Sequence, residues 1–424
     1  MNRFSTFAVF FLWFWTALAG AQQLSTGYQR YVILGRESQV FDFLDNVAHL
    51  ENGCGAFPDT AVESVVTLTA SLDGQKIVYD HWEDGFEPDP LNPVQPTTEV
   101  YTLNRGQVLS LASNDTNAAQ PINMPIPLPR DPNDVRYDGG DMITSIGGPI
   151  DVAHNMWPQG VNHIGGAWEL YAQQAIAGFR TYRIPVGVDS YNDHGGTDGS
   201  FAPFQYVELQ VSAFEDGTYV IIDNGTDQVS FTLGAGQTYY SGFTNPSDYP
   251  GPALPPQSQD PGMIDEATAP SIAITENTLV SASKEIQVGI LTGSDGCYQT
   301  RFFNAIPIKV YGRDYVVPLR GATSNNRESN LYIFNPHQKP IDVTLFDGTN
   351  STTTTVPAAS STSWIDATGS ALPPGTGTRL VSDEIFWGVL AYDYTRVARD
   401  WGFSLIPTRF LKQDTHVSWA PMNR

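Results

Sequence analysis

Ten consecutive residues, Asp80-His81-Trp82-Glu83-Asp84-Gly85-Phe86-Glu87-Pro88-Asp89, bring five carboxylates and one imidazole together. Carboxylates at that density repel one another unless water, hydrogen-bond donors or a cation neutralise them, and hard cations such as calcium take oxygen ligands. Three chemistries fit. The segment is a solvated structural turn anchored by Trp82, a calcium site using Asp80, Glu83 and Asp84, or a catalytic set of Asp80, His81, Glu83 and Asp84 in a carbohydrate-active enzyme, a hydrolase or lyase. The spacing is not that of a helix–loop–helix calcium loop. Asp138-Gly139-Gly140-Asp141 adds Asp138 and Asp141 to the same metal site, or is a glycine turn with polar flanks.

A second group is aromatic. Trp82, His154, Trp157, His163, Trp168 and Tyr171 are the candidate ligand-binding residues, because flat rings beside carboxylates suit the apolar faces and hydroxyls of sugars. The competing reading places the large rings in a core between modules, where they bury most area. His81, His154, His163 and His194 lack the compact spacing of a transition-metal site and read as separate surface histidines. No Gly-x-Ser-x-Gly elbow, phosphate-binding glycine loop or His-Glu-x-x-His occurs.

The elements that must carry these residues repeat. Gly27-Tyr28-Gln29-Arg30-Tyr31-Val32-Ile33 returns as Gly178-Phe179-Arg180-Thr181-Tyr182-Arg183-Ile184-Pro185 and as Gly312-Arg313-Asp314-Tyr315-Val316-Val317-Pro318. A second element follows in the same order each time: Ile143-Thr144-Ser145, Leu279-Val280-Ser281 and Leu380-Val381-Ser382, each leading into another apolar strand. Between them, Tyr206-Val207-Glu208-Leu209-Gln210-Val211-Ser212-Ala213 alternates like a half-buried strand, and Asn224-Gly225 is a hairpin turn. The pattern predicts an all-β protein of three related antiparallel modules, packed as sandwiches or propeller-like, with long Pro-rich loops. The divisions are a signal peptide at 1–21 and modules at 22–177, 178–311 and 312–424. Helix is expected only as a turn or two around 167–175. Two segments are surplus to the repeat, 80–97 and 189–204. The piece at 415–419 comes where a fourth copy would begin, and either completes the third module or pairs back to the first.

The chain's ends and composition set the compartment. Met1-Asn2-Arg3, an apolar run and Ala17-Leu18-Ala19-Gly20-Ala21 are laid out as a secretory signal peptide. A secreted, extracellular protein without membrane insertion is expected. The net charge of −23 disfavours nucleic acid and anionic membranes as partners. Cys54 and Cys297 are an even count suited to one long-range disulfide, with two separate buried thiols as the alternative. Asn114, Asn224 and Asn350 lie in glycosylation sequons.

The repeated Gly-x-x-Tyr-Val-Val-Pro and Val-Ser-x-x-x-x-Ile-x-Val elements resemble the N-terminal β-repeat region of the IgG Fc-binding protein family. Val78-Tyr79-Asp80-His81-Trp82-Glu83-Asp84-Gly85 and Asp138-Gly139-Gly140-Asp141 are similar to repeats of large bacterial surface proteins. The resemblance covers most of the mature chain and implies an extracellular binding, adhesive or matrix role. The family's Cys-rich von Willebrand-type modules are missing, so antibody binding does not carry over. The leading expectation is a non-enzymatic adhesion protein for glycans or glycoproteins, with calcium as an aid. A carbohydrate-active enzyme and a structural wall or matrix protein are the rivals.

Overall fold

A computed structural model describes residues 27–49, 61–112, 126–127, 131, 133–158, 166–188, 190, 203–242, 271–294, 299–318, 327–368, 372, 377–394 and 401–411. The expected signal peptide, Cys54, Cys297, Asn114, His163, His194 and the piece at 415–419 fall outside them. Among the described residues there is no disulfide, and no helix is long and apolar enough to cross a membrane.

The chain is all-β, and its antiparallel strands repeat one plan. The first unit holds β1 (Tyr28–Val32), β2 (Ala61–Ala70), β3 (Gln75–Asp80), β4 (Glu99–Leu103), β5 (Val108–Ala112), β6 (Ile126–Pro127), β7 (Met142–Ile146), β8 (Ile150–Pro158) and β9 (Gly166–Glu169). The second holds β10 (Thr181–Arg183), β11 (Tyr206–Ala213), β12 (Thr218–Asp223), β13 (Gln228–Leu233), β14 (Thr238–Tyr240), β15 (Leu279–Ala282), β16 (Ile286–Ser294) and β17 (Gln299–Asn304). The third holds β18 (Gly312–Pro318), β19 (Arg327–Asn335), β20 (Ile341–Phe346), β21 (Ser351–Val356), β22 (Ser360–Ser363), β23 (Gly377–Tyr394) and β24 (Trp401–Ser404).

The sheet orders coincide. One sheet runs β1-β7-β3-β4 in the first unit and β10-β15-β12-β13 in the second; its partner runs β5-β2-β8-β9, then β14-β11-β16-β17. In the third unit the 18-residue β23 serves both sheets. Its first part lies between β18 and β20, and its second between β19 and β24, giving a nearly closed, barrel-like sheet. Each pair of sheets is a sandwich around shared apolar side chains.

The recurring tyrosine has a physical role. Tyr31 donates its hydroxyl to the Ile150 carbonyl at 2.9 Å, Tyr182 to Ile286 at 2.7 Å, and Tyr315 to Phe386. All three phenols are buried, and all three bonds tie the unit's opening strand to the point where the chain passes between its two sheets. A buried hydroxyl left unbonded would be costly, so strand and crossing are held together.

Two expectations need correction. A helix, α1 (Glu37–His49), fills the connection from β1 to β2 and buries Val40, Phe43 and Leu44. Those residues follow the i, i+3, i+4 spacing of an apolar helical stripe. Residues 167–175 instead form β9 and one 3-10 turn at Gln173–Ile176. Strand β11 is also buried on both faces, not on one. Its polar side meets the first unit, where Gln210 Nε2 donates to Gln39 Oε1 at 3.1 Å.

Candidate functional site

The surplus segment of the first unit is the connection from β3 to β4. Its counterparts are tight turns with Gly225 and Gly348 at positive φ. Here residues 81–98 form a loop whose carboxylates organise its own backbone. Asp80 Oδ2 accepts from the Glu87 N–H at 2.8 Å; Glu87 Oε1 accepts from Val94 at 2.7 Å and Gln95 at 2.6 Å. Asp84 Oδ1 accepts from the Thr97 hydroxyl at 2.7 Å, and Asp89 from Leu91 N–H at 3.0 Å. Glu83 Oε1 accepts from the Arg136 N–H at 2.9 Å. All five carboxylates thus accept donors from the protein. Burial, followed by the charges of Glu87 and Asp141, lifts Asp80 to about 6 against the Glu87 N–H, which opposes the rise.

His81 sits beneath this loop, 1% exposed. Its Nδ1 faces the Arg136 carbonyl at 2.7 Å and lies 3.5 Å from Asp141 Oδ2; its Nε2 lies 3.4 Å from Glu99 Oε1. Burial opposes the charged ring, but Asp141, Glu99 and Glu83 outweigh it and push the pKa up to about 11. The side chain is an imidazolium at neutral pH. Glu99 accepts hydroxyls from Tyr137 at 2.6 Å and from Tyr101. Burial works against its charge, yet His81 and the two phenols hold it below the ordinary glutamate value.

His81, Glu83 and Asp141 place one ligand atom each within 4.8 Å of one another. Asp141 and one oxygen of Glu83 already accept protein donors. Asp141 accepts from Tyr79 at 2.8 Å, Asp138 N–H at 3.1 Å and Trp82 N–H at 3.2 Å, and a protonated His81 has no lone pair to offer. This trio suits protein donors better than a metal. Of the expected metal set, Glu83 and Asp141 come together here. Asp138 accepts the Trp82 indole N–H at 2.8 Å, while Asp80 and Asp84 serve the loop.

The loop also clamps two units together. The Arg36 guanidinium lies 4.9 Å over Trp82 and donates to the Gly236 carbonyl of the second unit at 3.0 Å. Gly236 has φ +70°, and a Cβ there would come within 2.5 Å of Phe86 and 2.7 Å of the Gly140 carbonyl.

Among the remaining expected residues, Trp157 is half-buried and Tyr171 is half-buried. Trp168 is fully buried and stacks on Phe302 of the second unit, with centroids 4.5 Å apart. His154 is fully buried too, with Nδ1 on the Leu34 carbonyl at 2.6 Å and Nε2 on Ser64 Oγ at 2.7 Å. Neither ring offers a face to a ligand; both belong to the core between modules. Ser64 and His154 with Glu37 mimic a nucleophile set, but Glu37 approaches the same Nε2, at 3.8 Å, and all three are under 3% exposed. No relay to a substrate follows. Asn224 donates to the Ala273 carbonyl at 3.0 Å, whereas Asn350 is exposed in its turn.

Sequence reasoning missed Glu99, Tyr101, Tyr137 and Arg36. Only the hairpin register, which sets Tyr79 opposite Glu99, brings the first two beside His81. No family model, curated protein or solved structure matches this chain.

Proposed function

We propose that this is an extracellular, non-enzymatic binding or adhesion protein whose ligands are glycans or glycoproteins. One observation carries the reading: the acidic cluster accepts hydrogen bonds from the protein's own donors, and its imidazole is buried as a cation. General acid–base catalysis needs a group within reach of the substrate proton and able to change charge near working pH; Asp80, lifted to about 6, is only 5% exposed and accepts from the Glu87 N–H. This cluster instead builds a fixed surface loop, from which Leu91 and Val94 project, 45% and 78% exposed. The resemblance to extracellular β-repeat proteins supports the same reading, and a secreted location belongs to it.

A glycan array and a polysaccharide-degradation screen test it together. Binding without products is expected. New reducing ends or unsaturated sugars that vanish in Glu83→Gln would overturn it in favour of the enzyme.

Calcium assistance has an observation of its own. Asp84 Oδ2 and Glu87 Oε2 are buried without a hydrogen-bond partner in one loop. Millimolar calcium is expected to raise the Tm above that in chelator, since a ligand of the native state stabilises by mass action. An unchanged Tm removes the calcium reading.

A further inference from the structure

The closing strands of the three units, β9, β17 and β24, meet around a cavity of about 340 Å³. Strand alternation explains its floor. Val152, His154 and Trp168 point into the first unit's core, so Ala153, Asn155, Ala167 and Glu169 face the other way. In register, Ala153 lies opposite Glu169 and Asn155 opposite Ala167. The amide and the carboxylate therefore occupy one diagonal of a small checkerboard, and two methyl groups occupy the other. The half-buried Phe403 and the exposed Leu411 supply apolar walls, beside the buried Phe302 and Phe303. Side chains fix the three strands to one another: Asn304 Nδ2 donates to the Glu169 carbonyl, and Ser404 Oγ to the Asn304 carbonyl.

Glu169 is exposed to this cavity while surrounded by protein. Burial and the charge of Asp151 push its carboxyl above the ordinary value. Among the described residues its carboxylate has no hydrogen bond or ion pair, and no Lys, Arg or His lines the space. A carboxylate held among aromatic rings without a cation is best complemented by a positive ligand, which the rings also favour. The volume is at the small end for small-molecule sites and exceeds what a lone side chain fills.

We propose that this cavity binds a hexosamine unit with a free amino group, its ammonium on Glu169, a hydroxyl on Asn155 and its apolar face on Phe403. The inference rests on the glycan-binding reading and gives it a site. Acetylation removes the cation that Glu169 needs. An acidic sugar meets Glu169 and a chain of net charge −23.

Calorimetric titration of the full chain with short glucosamine oligomers, their N-acetylated forms and galacturonic acid oligomers tests it. Glucosamine oligomers are expected to bind about ten-fold more tightly than the acetylated forms, the size of one charge-assisted contact. Galacturonic acid oligomers should not bind. Glu169→Gln should abolish the preference. Ala167→Leu, which fills the floor and leaves the carboxylate in place, should weaken every sugar and guards against a misfolded first variant. Glucosamine binding unchanged in both variants overturns the cavity assignment, and glycan-array hits that persist in both would leave the general reading standing. Butylamine binding as tightly as glucosamine oligomers overturns the sugar assignment. No sugar bound by the unaltered chain, on the array or in solution, defeats both readings.

Discussion

His81 and His154 are both buried, and each sets Nδ1 against a backbone carbonyl, yet they titrate in opposite directions. Burial pulls His154 down to about 4, and the Leu34 carbonyl and Asp141 only partly oppose it. At His81 the same burial term is overcome by Asp141, Glu99 and Glu83, and the pKa rises to about 11. Both start from 6.5 when unfolded, so the stability consequences separate. His154 contributes stability above 6.5 that is lost as pH falls from 6.5 towards 4, because the unfolded chain takes the proton first. His81 contributes stability below 6.5 that is lost as pH rises from 6.5 towards 11. Thermal melts across pH should show both flanks, with His154→Gln flattening the acid side and His81→Gln the alkaline side. Gly236→Ala combines a positive φ with two close approaches, and should cost about 1–3 kcal/mol in denaturant melts. A neutral effect would mean that the loop and the second unit are not in contact there.

At the scale of elements, α1 and the 81–98 loop both lie at the seam with the second unit. The helix was legible: Val40, Phe43 and Leu44 have helical spacing, and Glu37 places an acid in the first turn. It went unread because two sheet-forming phenylalanines and no clear cap obscure a short stripe. Phe43→Ala should cost about 3–5 kcal/mol, as other large-to-small core changes do, and a loss below 1 kcal/mol would place the helix outside the core. The loop was legible as an insertion, since tight Asn-Gly and Asp-Gly turns occupy its place in the other units. Its use of every carboxylate as an acceptor was not, because the donors, such as Val94, Gln95 and Arg136, are unremarkable in sequence.

For the whole molecule, the second and third units share one continuous apolar core, while the first keeps its own and reaches the second through Trp168, Phe302, Tyr206 and Leu291. Scanning calorimetry should therefore show the second and third units melting together. Phe302→Ala should remove the stack on Trp168, cost about 3–5 kcal/mol and lower the first unit's transition towards independence. Separate transitions for the second and third units would contradict the shared core.

The all-β class and the threefold repeat were present in the one-dimensional pattern, because period-two alternation, turn residues and a recurring tyrosine act over a few neighbours. Tertiary structure alone decided what the outward faces meet. Glu208 and Gln210 alternate like surface residues and are buried, since another unit covers them. Trp168 read as a ligand residue or as core between modules and His154 as a ligand or surface residue, and both are core for the same reason, while Glu169, one position away, was turned into a cavity made by three strands about 100 residues or more apart. Local alternation specifies which side of a strand a residue takes; only long-range packing specifies what lies on that side.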